Sequence, residues 1–410
     1  MKRIALIFAL VLAAACSRQE SMEQLAARVF DVAGRQVQIL AAALDSTQVP
    51  RTLNPDGSLR TSDYKWWCSG FFPGTLWYVY AYTGDSRFYD LAVAECAKID
   101  GVQYITDGHD VGFMANCSFG NGLRIGGIEE YARPLANAAH NLAARFNPAV
   151  GCTLSWNPRK DKDWLFPVII DNMMNLEILV RVAEMAGEPE LLEIARSHAN
   201  TTMKNHFRSD YTTWHVVDYD PQTGAVRHKQ THQGYEDGST WARGEAWALY
   251  GYTMMAELTG DPEYLAQAEH IGRWTMDNLP EDGVQYWDYD AARLLLEASD
   301  SVSFDRAWAG GKPDGSIQRD ASSAAITASA FVRLGQLTKD QPFAEECRAV
   351  AEKQIRALAG PEYLAEPGEM QGFLIRHCTG FLHSDSEVDV PLTYADYYFL
   401  EAVLRYIGLL

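Results

Sequence analysis

The sequence predicts an all-α fold in which helical hairpins close into a ring, and three observations carry that expectation. A short polar break recurs between amphipathic stretches, as Tyr82-Thr-Gly-Asp85, Met185-Ala-Gly-Glu188, Leu258-Thr-Gly-Asp261 and Leu337-Thr-Lys-Asp340. The stretch before each break is rich in aromatic and large apolar residues, while the stretch after it mixes charge with apolar positions. Strand-like segments are few and short, such as Trp214–Asp218 and Val284–Trp287, which read as hairpins of the loops at one mouth of the ring. A toroid needs an apolar inner layer and a two-faced outer one, and that asymmetry is what the breaks separate.

Each break has a mechanism. Gly84, Gly187 and Gly260, with Lys339 in the fourth case, are expected to end a helix in the left-handed conformation, and the acid that follows is expected to cap the next helix. Pro189 and Pro262 fall at the first helical position, where the missing N–H is not needed. The intervals between breaks each have room for more than one hairpin, and no Ser- or Pro-rich linker divides the chain, so one large domain is expected.

Ahead of that domain, Met1-Lys-Arg3 forms a basic start and Ile4–Leu12 an apolar run too short to cross a bilayer as a helix. Leu12-Ala-Ala-Ala-Cys16 resembles the lipobox of bacterial lipoproteins, with ordinary cleavage near Ala15 as the alternative. The expected organisation is a signal peptide at 1–15, a tether at 16–23 lipidated on Cys16, and the helical domain from 24 to 410. This implies a cell-envelope protein anchored by lipid, facing the periplasm or the cell surface, with the membrane as a partner through that anchor.

Composition narrows the function. Of the 410 residues, 47% are apolar and 22% charged, and the 11 Trp, 20 Tyr and 16 Phe argue for a packed core, which excludes disorder and low complexity. The formal charge of −19 disfavours nucleic acid as a partner. Cys68, Cys96, Cys117, Cys152, Cys347 and Cys378 show no metal-type spacing, so neither metal nor cofactor is expected.

The loops hold the reactive residues. In Gly108-His-Asp-Val-Gly-Phe-Met114 an imidazole and a carboxyl precede an apolar helix, and in Phe166–Leu176 Asp171 interrupts apolar surroundings. Burial raises a carboxyl pKa, as a proton donor near neutrality requires, although each acid also suits a helix cap. Trp241 and Arg243 stand two apart at a helix entry, so an aromatic platform and a carboxylate clamp could meet one ligand; alternatively Arg243 pairs with Glu245 or Asp237. Asp63–Gly74 is a dense aromatic turn suited to stacking on a sugar or to core packing.

Taken together, Trp67-Cys-Ser-Gly-Phe-Phe-Pro-Gly74, His109-Asp-Val-Gly-Phe113, Ile169–Leu176, His232-Gln-Gly-Tyr235 with Trp241-Ala-Arg-Gly244, and Ser386–Leu392 with Tyr394–Tyr398 resemble the unsaturated glucuronyl hydrolases of glycoside hydrolase family 88. The order and spacing agree from about Gln24 to the C-terminus. The resemblance implies an (α/α)6 barrel and, as substrate, an oligosaccharide left by a polysaccharide lyase with a 4,5-unsaturated uronic acid at its non-reducing end. It also implies hydration of the C4=C5 bond rather than direct attack on the glycosidic bond. By position, Asp171 matches the general acid/base and Asp110 the second acid. Trp67, His109, Trp156, His215, Gln233, Trp241 and Arg243 match contacts to the unsaturated sugar, with Arg243 on its carboxylate. A loop that sets specificity on the reducing side corresponds to Arg376–Asp385; it has no lysine, leaving Arg376, His377 or His383 to meet a sulfate. Two other readings stand beside this one: an unsaturated rhamnogalacturonyl hydrolase acting on pectin fragments, and a glycan-binding lipoprotein without catalysis.

Overall fold

The computed structural model describes residues 19–297 and 304–410. The expected signal peptide and the expected lipidation site Cys16 lie outside the described residues. Among the described residues, no helix is long and apolar enough to cross a membrane.

The barrel helices, in chain order, are α1 (Met22–Ala42), α2 (Phe71–Thr83), α3 (Ser86–Lys98), α4 (Val111–Ala115), α5 (Ala132–Ala143), α6 (Asn172–Ala186), α7 (Pro189–Asn205), α8 (Ala242–Thr259), α9 (Pro262–Asn278), α10 (Ala321–Leu337), α11 (Gln341–Leu358) and α12 (Thr393–Tyr406). The inner ring runs α2, α4 with the short helical turns that continue it to Arg124, α6, α8, α10, α12 and closes where α12 packs on α2. Behind it stand α3, α5, α7, α9 and α11, each against the inner helix it follows, and α1 behind α2. This is the expected (α/α)6 barrel. The inner helices are buried nearly all round (Ala242 to Ala256 without a break in α8), whereas the outer ones bury a stripe, as Leu191, Ala195, His198, Ala199 and Thr202 do in α7. That is the layer asymmetry expected of the segments on either side of each break.

Three of the breaks have the predicted left-handed glycine, at Gly84, Gly187 and Gly260. At the fourth, α10 stops at Thr338 in an extended conformation and Lys339 does not take a positive φ, because a side chain makes the left-handed region costly. Asp85, Asp261 and Asp340 each accept a backbone N–H of the next helix. Glu188 caps nothing; its carboxylate lies 2.6 Å from His140 Nε2 instead. Pro189 and Pro262 open their helices as expected.

Short hairpins crowd the end of the barrel where the inner helices begin: β1 (Val49–Leu53) with β2 (Leu59–Ser62), β3 (Phe146–Asn147) with β4 (Cys152–Thr153), β5 (Pro167–Ile169) with β6 (Val216–Tyr219) and β7 (Val226–Gln230), and β8 (Cys378–Phe381) with β9 (Ser386–Val390), all antiparallel. The strand expected over Trp214–Asp218 is present two residues later. Val284–Trp287 forms no strand, only an isolated bridge at Tyr286 to Arg319, since its buried side chains serve as packing rather than as a ladder. All six described cysteines are buried and free. Ordered packing reaches back to Glu20, which pairs with Arg28 at 2.9 Å, and Ser21 caps α1.

Candidate active site

A cavity of about 330 Å³ opens among the mouth hairpins and ends on the carboxyls of Asp110 and Asp171. Each acid immediately precedes an inner helix, α4 and α6, yet neither makes a cap hydrogen bond. The reason is the backbone: ψ is −2° at Asp110 and −26° at Asp171, whereas the acids that do cap, such as Asp85 (117°) and Asp261 (119°), are extended. An N-cap side chain reaches the helix N–H groups from the extended conformation. The helical ψ turns both carboxyls away from their own helices.

Local sequence sets these positions. Ile169 pairs with Val216 across β5 and β6, and the Ile170 N–H donates to the His215 carbonyl, so Asp171 emerges beside His215. Gly112 permits α4 to lie against α6, because a Cβ there would stand 2.5 Å from Asn175 Oδ1. Asn175 fastens the same contact, accepting the Phe113 N–H at 2.7 Å. That close approach brings Asp110 and Asp171 within electrostatic reach of each other.

Burial pushes Asp171 up to about 7; the Arg243 charge opposes the rise and Asp110 adds to it. Asp110 is also raised to about 7 by burial, against the charge of Arg145. Asp171 Oδ2 has no hydrogen-bond partner among the described residues. His215 Nε2 lies 3.8 Å from it, and His215 Nδ1 accepts the backbone N–H groups of His232 and Gln233. The proton of His215 is therefore on Nε2, facing Asp171, and burial holds the ring far below the usual imidazole pKa. His109 is similar. Asn175 Nδ2 lies 3.3 Å from its Nδ1, its Nε2 stands 3.4 Å from Asp110 Oδ1, and burial lowers its pKa to about 3. Two neutral imidazoles thus each turn an N–H toward one acid.

Among the expected site residues, Trp67, His109, Asp110, Trp156, Asp171, Gln233 and Arg243 line the cavity. His215 and Trp241 do not; they stack on one another at 4.4 Å and stand behind its wall. Trp67 leans on Tyr394 and Phe113, and Trp156 stacks on Trp164. Gln233 Nε2 donates to the Gly380 carbonyl at 3.1 Å, tying its loop to β8.

Arg243 pairs with neither Glu245 nor Asp237. It holds Asp320 at 2.9 Å and donates to the carbonyls of Thr379 and Gly380. Its Nε–H has no partner among the described residues, so the edge left for a ligand is the one carrying Nε. Glu245 turns instead to the Thr213 N–H and hydroxyl, both at 2.6 Å.

The loop expected to set specificity contributes Phe381 to the cavity wall, but its charged residues are engaged elsewhere. Arg376 pairs with Glu369, His377 lies 2.6 Å from Asp389, and His383 stacks on Trp308 at 3.5 Å. Sequence reasoning missed Trp66, Arg159, His232 and Phe381 as cavity walls. Trp66 and His232 stood inside quoted motifs, but Arg159 lay in an ordinary charged run, Arg159-Lys-Asp-Lys-Asp163. Among the described residues no group of three or more His, Cys, Asp or Glu is placed to hold a metal ion.

An inner ring of helices whose mouth presents two uncapped acids, Asp171 buried and Asp110 half-buried, inside an aromatic wall is an arrangement suited to a carbohydrate-active hydrolase. The sequence profile described as Glycosyl Hydrolase Family 88 matches residues 47–292, and the chain belongs to that family. It is similar to an unsaturated glucuronyl hydrolase of Formosa agariphila, 41% identical over 83% of this chain and 79% of the relative. It is also similar to one from a Bacillus species, 32% identical over 83% and 85%. A crystal structure of an unsaturated glucuronyl hydrolase specific for heparin superposes with a TM-score of 0.85, 41% identity, and coverage of 94% of this chain and 97% of that one.

Proposed function

We propose that this glycoside hydrolase hydrates the C4=C5 double bond of a 4,5-unsaturated uronic acid at the non-reducing end of lyase-made, glycosaminoglycan-type oligosaccharides. The observation that carries the reading is Asp171: a buried carboxyl at about 7 that lines the cavity, is free of its helix, and has one oxygen that no described protein group partners. The protonated carboxyl delivers its proton to C4. Positive character then develops at C5, beside the ring oxygen, and the Asp171 carboxylate takes a proton from the water that adds there. The hemiketal so formed opens and expels the neighbouring sugar, leaving a keto acid. This route needs an acid poised near neutrality rather than two carboxyls separated for inversion or retention.

Asp110 accepts from ring hydroxyls and, by its proximity, helps keep Asp171 protonated. Arg243, with its free Nε edge, draws the uronate carboxylate toward Asp171. Trp67 and Trp156 supply the walls, Gln233 and His109 polar contacts to the ring, and His215 and Trp241 hold the wall from behind. The same proposal places the enzyme in the bacterial cell envelope, anchored through lipid on Cys16 after removal of residues 1–15.

The test is the ultraviolet absorbance of the conjugated double bond during incubation with unsaturated disaccharides from heparin, chondroitin, hyaluronan and pectin lyases. Loss with a glycosaminoglycan disaccharide, abolished by Asp171→Asn, supports the reading. Loss with the pectin product alone moves the enzyme to rhamnogalacturonyl chemistry. Labelling with a palmitate analogue in a bacterial host, lost in Cys16→Ser, checks the anchor.

A further inference from the structure

Two cations line the cavity, and their situations differ. Arg243 is buried with most of its donors committed to Asp320, Thr379 and Gly380. Arg159 stands at the rim, on a turn whose base is fixed by two backbone hydrogen bonds with Trp164, Arg159 N to Trp164 O at 3.0 Å and Trp164 N to Arg159 O at 2.9 Å. Trp164 is itself buried, and its indole N–H donates to Gln230 at 2.7 Å. The turn is therefore rooted in the aromatic wall that Trp156 and His232 continue toward Phe381. Arg159 and His232 both line the cavity.

Resting on the reading above, we propose that Arg159 recognises a sulfate ester on the substrate and so determines specificity for sulfated over unsulfated disaccharides. The guanidinium is already oriented: Asp161 accepts from Nε at 3.2 Å and from Nη2 at 2.5 Å, and Nη1 has no partner among the described residues. That ion pair is largely exposed, with the two side chains at 45% and 60% exposure, and an exposed pair contributes little. A sulfate oxygen can accept from the unpartnered Nη1, or displace Asp161 at small cost, because a planar fork matches tetrahedral oxyanions. The residues of the 376–385 loop cannot offer the same, since Arg376, His377 and His383 face Glu369, Asp389 and Trp308.

The experiment compares kcat/KM for matched unsaturated heparin disaccharides: unsulfated, sulfated on the unsaturated ring, and sulfated on the leaving sugar. In Arg159→Ala the ratio of sulfated to unsulfated kcat/KM falls about ten- to a hundredfold for the isomer whose sulfate Arg159 meets, and Arg159→Lys keeps part of it. The isomer affected tells which ring bears the recognised group. A ratio that moves by less than about threefold overturns the assignment. So does an equal fall in Lys160→Ala, because diffuse attraction by the turn would then explain the preference. If the wild-type enzyme consumes none of the disaccharides, the proposed function itself fails; consumption with an unmoved ratio removes only the role of Arg159.

Discussion

Two sets of carboxylates share the mouth of the barrel and do opposite things. Asp320 caps α10 and also accepts from the Thr379 N–H and Arg243; Asp396, in the first turn of α12, accepts the N–H groups of Leu374 and Ile375; Asp288 accepts those of Tyr235 and Ala291. Each staples a mouth loop to the helical frame. Asp110 and Asp171 occupy comparable places and staple nothing. Among the acids that immediately precede an inner helix the backbone separates the two sets, ψ being 89° at Asp320 against −2° at Asp110 and −26° at Asp171. Titration does not separate them, because burial raises Asp396 to about 8 and Asp288 to about 6, either side of the site acids. What separates Asp110 and Asp171 from the staples is that they line the cavity and staple no loop, and a perturbed pKa alone would have pointed equally to the staples.

The largest expected effect comes from breaking the pair that staples nothing. Asp171→Asn should lower kcat by about a hundred- to ten-thousandfold, the range for removing a positioned acid/base, while substrate binding persists by calorimetry. Asp110→Asn should follow with a smaller loss of kcat/KM. Both should stabilise the fold at alkaline pH. A carboxyl raised from 3.8 to about 7 binds its proton more tightly when folded, so between those values the unfolded chain ionises first and stability falls as pH rises. The amide removes that slope: melting near pH 8 should improve by on the order of 2 kcal/mol, with no gain near pH 4. An Asn variant that is destabilised at both pH values would show the acid to be a staple after all. Activity of the wild type should fall about tenfold per pH unit above about 7, since the proton donor must be loaded.

The hairpin ring and its layers were legible because breaks and apolar faces are local patterns, readable from Thr-Gly-Asp and the helices around it. Asp110 and Asp171 were visible as acids in apolar loops, and equally visible as caps, because a sequence does not display ψ. The partner of Arg243 was hidden for another reason: Asp320 lies 77 positions away and meets it only when the ring closes. Arg159 was missed because a charged run ordinarily reads as a solvated turn, and only the pairing of Trp164 with it fixes that turn at the cavity rim.

Breaking the stapling set should cost stability before chemistry. Asp396→Ala leaves the Leu374 and Ile375 N–H groups buried without acceptors, about 1–3 kcal/mol each, offset in part by relieving a carboxyl that burial disfavours. The expected result is a lower urea midpoint, with kcat of the folded fraction much closer to wild type than in Asp171→Asn. Equal losses of kcat would mean that the loop before β8 must be held rigidly for turnover.

The smallest effects lie at the far end of the barrel. The 18 residues of α8 put its C-terminus about 27 Å from the mouth, at about 1.5 Å per residue, and the glycine–acid breaks lie at such inner-helix C-termini. Asp85 accepts the Arg87 N–H at 3.0 Å as a true cap, so Asp85→Ala should cost about 1 kcal/mol by chemical denaturation. Glu188 occupies the matching place before α7 but holds only the exposed His140, so Glu188→Ala should cost no more than about 0.5 kcal/mol. Neither should alter kcat/KM or its pH profile. A Glu188 effect as large as that of Asp85 would mean that the acid matters through the helix dipole rather than through a cap bond, and would weaken the use of side-chain bonding to sort the acids at the mouth.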